Sequence, residues 1–291
     1  MGYLKIQNLY RPESANIFLF KEVYALEKIH GTSAHIELNR GSPTIFFSGG
    51  EKHDKFVKLF DVPRLDELYN KLETPYGVCV YGEAYGGKCQ GMSDTYGKEL
   101  KFIAFDVQIG SHWLSVPNAE KLVLSLGLEF VDYKRVTTSM TDLDAERDKP
   151  STQAVRAGIA EPKLREGIVI RPLVEMTLNN GARIISKHKR AEFSELKTPR
   201  EVVTDPAKLI LLEDAEEIAE QFVTPMRLKH VMDKLPSRSV ESIPEILCVL
   251  LADIELECKG ELVVTAQARK AINKKAVAIY KSLRSTHLPT D

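Results

Sequence analysis

Cysteine is scarce in this 291-residue chain, with Cys79, Cys89, Cys248 and Cys258 as the whole supply. None forms a CxxC pair and none neighbours a pair of histidines, which excludes a disulfide framework and the usual zinc knuckles. Reduced thiols in a cytoplasmic protein are expected. The seven histidines lack an HExxH arrangement, so no protein-caged transition metal is expected either. Charge of one sign is also missing: 40 basic against 41 acidic residues leave a net −1, and any nucleic-acid footprint must therefore be local. The longest apolar run, Ile246 to Leu251, soon meets Asp253 and is far too short to span a membrane. The N-terminus has no charged start followed by an apolar stretch, so no signal peptide is expected. Internal repeats and low-complexity tracts are absent from the sequence.

What remains is an ordinary globular composition, 43% apolar and 28% charged, long enough for one large domain and one small one. Residues 17–26, 34–38 and 44–47 read as strands around two turns, Gly31 and Asn39-Arg40-Gly41-Ser42-Pro43. Leu65, Leu68, Tyr69 and Leu72 recur at helical spacing after Pro63. Residues 78–85 and 101–108 are strands joined by a glycine- and lysine-bearing connection. Residues 117–126 form a helix with proline in its first turn and Gly127 just past its end. A short strand over 129–136 and a helix start at Ser151 follow. Residues 167–171 and 182–187 then form a strand pair split by Asn179-Asn180-Gly181. Antiparallel strands broken by single helices predict an α+β fold of antiparallel sheets with flanking helices over residues 1–204. After Thr204 the pattern changes, with helices expected over about 205–221, 225–235, 244–258 and 262–284, a small all-α domain covering 205–291.

The chain is organised around Glu27-Lys28-Ile29-His30-Gly31-Thr32, at the end of the apolar run Val23-Tyr24-Ala25-Leu26. Lysine is costly to bury and normally snorkels outward. By itself Lys28 reads equally as an ordinary strand-end lysine. Four further stretches change that: Tyr81-Gly82-Glu83, Phe102 to Asp106, Glu166-Gly167-Ile168-Val169 and Lys187-His188-Lys189. Five stretches in this order and spacing resemble the nucleotidyltransferase motifs of covalent ligases and capping enzymes. The resemblance is nearest to ATP-dependent RNA ligases of the phage nick-sealing type, the family of the second RNA ligase of T-even phages. Lysine followed by His-Gly rather than Asp-Gly narrows it, as does the run from Arg183 through Lys189 to Phe193-Ser194-Glu195. It covers roughly residues 20–200.

The resemblance implies a lysyl-AMP intermediate on Lys28, formed from ATP with Mg²⁺ (Mn²⁺ able to replace it), and RNA with 3′-hydroxyl and 5′-phosphate ends as partner. An ordinary lysine titrates near 10.4, so only about one in two thousand is the free amine at pH 7, and a neighbouring cation or metal must favour it. Lys187 and Lys189 fall on one strand face and would grip the triphosphate; read alone, they are a solvated strand end. Glu166 and Asp106 are the implied metal residues, with a surface carboxylate paired to Arg165 or Arg171 as the plainer reading of Glu166. Glu83 would accept hydrogen bonds from the ribose, and Phe105 would stack on adenine, although a core phenylalanine reads identically. Glu27 and Ile29 would line the adenine through their backbone, and His30 would serve the nucleotide or the RNA 5′-phosphate, or be a structural histidine.

Three positions depart from the family: Leu26 and Ser48 stand where it has arginine, and Ser33 where it has asparagine. Serine supplies no charged fork for phosphate, so either Arg40, Lys52 or His53 substitutes from the loop or substrate handling differs. Lys270, Lys274 and Lys281 lie along one side of the last helix and read either as phosphate contacts or as a solvated face. The competing functions are a small DNA ligase or guanylyltransferase, and a nucleotide- or RNA-binding module that has lost chemistry. A monomer in the cytoplasm, that of a bacterial host if phage-encoded, is expected.

Overall fold

The computed structural model describes residues 2–40, 44–48, 53–195, 214–258 and 262–285. The chain divides into two compact units, Met1–Leu9 with Glu13–Arg190 and Tyr10–Pro12 with Ala191–Asp291. The boundary expected after Thr204, and the helix start at Asp205-Pro206, lie outside the described residues, as does Lys52.

The first unit is α+β, built on two five-stranded sheets. One has the order β1 (Gln7–Asn8), β10 (Ser186–Lys189), β9 (Gly167–Pro172), β2 (Glu22–Lys28) and β8 (Tyr133–Thr137). The other runs β4 (Ile45–Ser48), β3 (Thr32–Leu38), β5 (Val78–Gly86), β6 (Leu100–Ile109) and β7 (His112–Trp113). All pairings are antiparallel except β1 with β10. Ala34, Ile36 and Leu38 of β3 and Val78 and Val80 of β5 alternate into one core with Leu26, Ile103, Val107 and Val123. The unit's helices include α1 (His53–Val57), α2 (Val62–Asn70), α3 (Ser93–Tyr96) and α4 (Val116–Ser125), and α2 begins as its sequence requires: Asp61 accepts from the Arg64 N–H, and proline occupies the first turn. Ser151 likewise caps α6 (Thr152–Arg156), accepting from Ala154.

Two expectations are corrected, and one helix is added. Residues 17–21 are not strand, because Pro12–Leu19 winds as a 3-10 helix and β2 starts only at Glu22. Residues 182–185 are not strand either; Thr177 and Arg183 meet in an isolated bridge, and β10 begins at Ser186. The polar stretch after Thr141 holds a helix, α5 (Met140–Arg147), whose buried residues are only Leu143 and Glu146.

Between β5 and β6 the register slips by one residue: Tyr81 faces Asp106, but Gly82 faces Ala104. Phe105 is the extra residue of this β-bulge, and its carbonyl accepts from Arg171 Nη1 at 3.4 Å.

The second unit contains α7 (Ala215–Phe222), α8 (Pro225–Asp233), α9 (Ile243–Glu257) and α10 (Ala266–Ser285), around Phe222, Leu228, Leu250, Ile254, Ile272 and Ala276. Thr224 caps α8 and Thr265 caps α10, as read from the sequence. No described helix is long and apolar enough to cross a membrane.

Candidate active site

Lys28 is the last residue of β2, directly opposite Gly167, the first residue of β9. That pairing sets Glu166 beside the lysine. Glu166 Oε2 lies 2.8 Å from Lys28 Nζ and 3.3 Å from His30 Nδ1, and Oε1 lies 3.0 Å from Lys189 Nζ. Four residues separated by up to 161 positions in sequence thus meet at one carboxylate that is 1% exposed. The surface pairing with Arg165 or Arg171 is not what forms. Arg165 turns instead to Glu146 at 2.9 Å, and Arg171 to Asp106 at 2.9 Å.

Two glycines make the meeting possible. A Cβ on Gly31 would sit 2.4 Å from the Ala84 carbonyl oxygen, and one on Gly167 would sit 2.2 Å from the His188 carbonyl oxygen. Gly31 is therefore required by the close approach of β5 rather than by a left-handed turn.

Burial alone would push the Glu166 carboxyl up, but Lys28, Lys189 and His30 outweigh it and hold it well below the usual range. It is a fixed anion, not a proton acceptor. Glu83 behaves oppositely. Burial pushes it up to about 7, against the pull of Lys28 and with the help of anionic Glu166. It nonetheless keeps part of its surface accessible, as a side chain lining a cleft does. A carboxyl raised from 4.5 to about 7 on folding holds a proton that the unfolded chain has lost, so its stabilising contribution is complete below pH 4.5 and disappears as pH rises towards 7. The stability of the wild type minus that of Glu83→Gln is expected to fall across that window. Denaturant unfolding at stepped pH measures it, and a flat or rising difference contradicts it.

Beneath the turn, the Tyr96 hydroxyl accepts from the His30 N–H at 3.3 Å. Glu27 crosses to the far side of β2, where it accepts from Ser151 Oγ at 2.5 Å and from the backbone N–H groups of Thr152 and Gln153 at 2.9 and 3.2 Å. Arg165 approaches it at 3.6 Å. This carboxylate anchors the strand, leaving only the Glu27 backbone for the cleft. Ile29 is buried in the core, so it too can offer only backbone. Lys187 is buried, one alternation from Lys189, while His188 points away to Asp144 at 2.7 Å.

Asp106 does not join the Glu166 cluster. It is fully buried, with Oδ1 held by Arg171 Nη1 and the Val107 N–H, both at 2.9 Å, and Oδ2 by Tyr3 OH and Arg183 Nη1, both at 2.7 Å. With four donors filling the lone pairs of its two oxygens, where Glu166 meets three, Asp106 supports the bulge rather than offering a place for a metal. Tyr3 also packs edge-on against Phe105 at 4.9 Å, and Arg183 lies 4.0 Å over Trp113. Phe105 is half-buried against the core. Sequence reasoning missed Tyr3 and Tyr96, which carry no local pattern, and it named Arg183 only as the start of the run to Lys189, without its link to Asp106. Ser151 carried a helix-start signal without its link to Glu27. Ser48 Oγ is buried without a hydrogen-bond partner among the described residues, and Arg40 and His53 are exposed.

A family model described as RNA ligase matches residues 21–189. No curated protein matches the chain. Among solved structures, the chain is similar to a lysine-to-alanine variant of Naegleria gruberi RNA ligase with ATP and Mn, at 14% identity and TM-score 0.51. A lysine-to-methionine variant of that ligase with AMP and Mn gives the same two values, and another lysine variant without ligand gives 15% and 0.51. Each match covers 66% of this chain and 57% of the other.

Proposed function

Because the chain belongs to the RNA ligase family, we propose that it joins RNA 3′-hydroxyl and 5′-phosphate ends at the expense of ATP, through AMP carried on Lys28. The observation that carries this reading is the convergence of Lys28, His30 and Lys189 on the single buried carboxylate of Glu166. In the first transfer Lys28 Nζ attacks the α-phosphorus of ATP. A P–N bond forms, the bond to the β-phosphate oxygen breaks, pyrophosphate leaves and the amine proton passes to solvent. AMP then moves to the RNA 5′-phosphate, and the 3′-hydroxyl finally displaces it.

Lys189, with Lys187 one alternation away on β10, offers cations for the phosphates from the strand that neighbours Lys28's own partner β9. Mg²⁺ or Mn²⁺ fits the donor set, since a carboxylate held anionic is what such hard cations take, with phosphate oxygens and water completing the shell. Glu166 would hold the ion, which when bound neutralises phosphate charge. Glu83 on β5 and Phe105 on β6 are proposed for the ribose and the adenine. Lys270, Lys274 and Lys281 of α10 are exposed and are proposed to meet RNA phosphates, on a nicked duplex or an RNA–DNA hybrid.

The test is direct. The chain with labelled ATP, Mg²⁺ and a nicked RNA duplex is expected to yield sealed RNA, and labelled protein when RNA is omitted. Sealing of nicked DNA alone would support the DNA ligase reading. Binding without labelled protein would support a module that has lost its chemistry.

A further inference from the structure

The outer reaches of the second sheet carry a donor cluster that the ligation chemistry does not use. Glu37 on β3 directly faces Cys79 on β5 in the antiparallel register, and His35 lies two residues back on the same face of β3. His35 Nε2 is 3.3 Å from Glu37 Oε1, and these two atoms and the Cys79 sulfur all lie within 4.8 Å of one another. Four-coordinate zinc, with bonds of about 2.0–2.3 Å, sets neighbouring donor atoms roughly 3.3–3.8 Å apart, so the three need only small side-chain rotations to converge.

We propose that His35, Glu37 and Cys79 form a binding site for a divalent transition metal of the zinc and cobalt class, completed by solvent. One imidazole, one carboxylate and one thiolate suit that class and not magnesium. The two negative ligands also cancel the ion's charge in a half-buried place. Both strands are interior to their sheet, β3 between β4 and β5 and β5 between β3 and β6, so the backbone frame is rigid. The Tyr81 ring, whose centroid is 5.6 Å from that of His35, shields one side.

Cys79 is four residues along β5 from Glu83, about 13 Å at strand rise, so the cluster is separate from the Lys28 site. Burial pushes the Cys79 thiol up to about 11, which argues against a role as nucleophile or redox switch; a bound cation supplies the charge that makes it a thiolate. The other donor cluster, Glu195, Asp253 and Glu257, is made of carboxylates alone gathered on the Arg227 guanidinium, a donor type that suits magnesium or calcium rather than zinc or cobalt.

The test uses the full chain stripped with a chelator and titrated with Co²⁺ alone. One equivalent is expected to produce thiolate-to-cobalt charge-transfer absorption, which Zn²⁺ then bleaches. Cys79→Ser should abolish that absorption. His35→Gln should weaken cobalt binding by at least the roughly ten- to hundredfold that losing even a supporting group costs. Should Cys79→Ser fail to fold, mass mapping of alkylated wild type decides instead: Zn²⁺ should protect Cys79 while exposed Cys248 stays reactive. Absence of charge-transfer absorption, its persistence in a folded Cys79→Ser, or no zinc protection of Cys79 would overturn the site.

Discussion

Lys28→Ala is expected to eliminate the covalent adenylate, lowering AMP transfer to protein by at least about a thousandfold, since the attacking amine itself is removed. Lys28→Arg should do the same, because a guanidinium cannot give up its proton. The loss should not be one of folding. Lys28 is 23% exposed, and Glu166 keeps Lys189 at 3.0 Å and His30 at 3.3 Å when the Lys28 ammonium is gone. Circular dichroism should therefore match the wild type, while an intact-mass spectrum after ATP and Mg²⁺ lacks the AMP increment. A surviving increment would move the nucleophile to another residue. A missing increment in the wild type itself, after pyrophosphate treatment to remove bound AMP, would end the ligase reading.

Arg227→Met should be the most destabilising single change in the helical unit. The guanidinium is wholly buried, 2.8 Å from Asp253, 3.6 Å from Glu257 and 3.7 Å from Glu195, and its Nε donates to the Glu195 carbonyl at 3.4 Å. Burial opposes its charge, yet the three carboxylates prevail and hold it protonated more firmly than usual. Methionine fills much of the volume but removes the guanidinium that the three carboxylates share, while Lys234 keeps its place 3.6 Å from Asp253. Breaking a buried ion pair from one side costs about 3–5 kcal/mol, and this network has three partners. Denaturant unfolding of the full chain should show a loss of that order. Arg227→Lys should recover only part of it, because one ammonium cannot reach three acceptors. A loss below about 1 kcal/mol would mean the network is solvated.

What could be read in the sequence was what is local. The caps at Ser151, Thr224 and Thr265 and the apolar stripe Ala268, Ile272 and Ala276 follow from spacing of a few residues and appear where expected, as do the strands on either side of Lys28 apart from residues 17–21. Opposite faces for Lys189 and His188 followed from strand alternation alone. Helix α5 escaped because a helix with two buried residues has almost no apolar period to detect. Residues 182–185 fall short of the expected strand because Arg183 is drawn sideways to Asp106 at 2.7 Å and to Glu175 at 2.6 Å instead of lying in a ladder. The commitment of Asp106 to two guanidiniums was invisible, since Arg171 and Arg183 lie 65 and 77 residues away and only the fold gathers them. The same holds for His35, Glu37 and Cys79, whose meeting depends on a register that no spacing rule encodes.

Phe105 occupies no rung of its ladder, since Ala104 and Asp106 already answer to consecutive residues of β5. The strand would zip shut equally well one residue shorter. A deletion of this single position would therefore subtract an aromatic ring and its peptide together, leaving Asp106 opposite Tyr81 as before. The ring proposed to meet adenine would then be lost without a change in strand pairing, at the cost of the Arg171 contact to the Phe105 carbonyl and the Tyr3 packing.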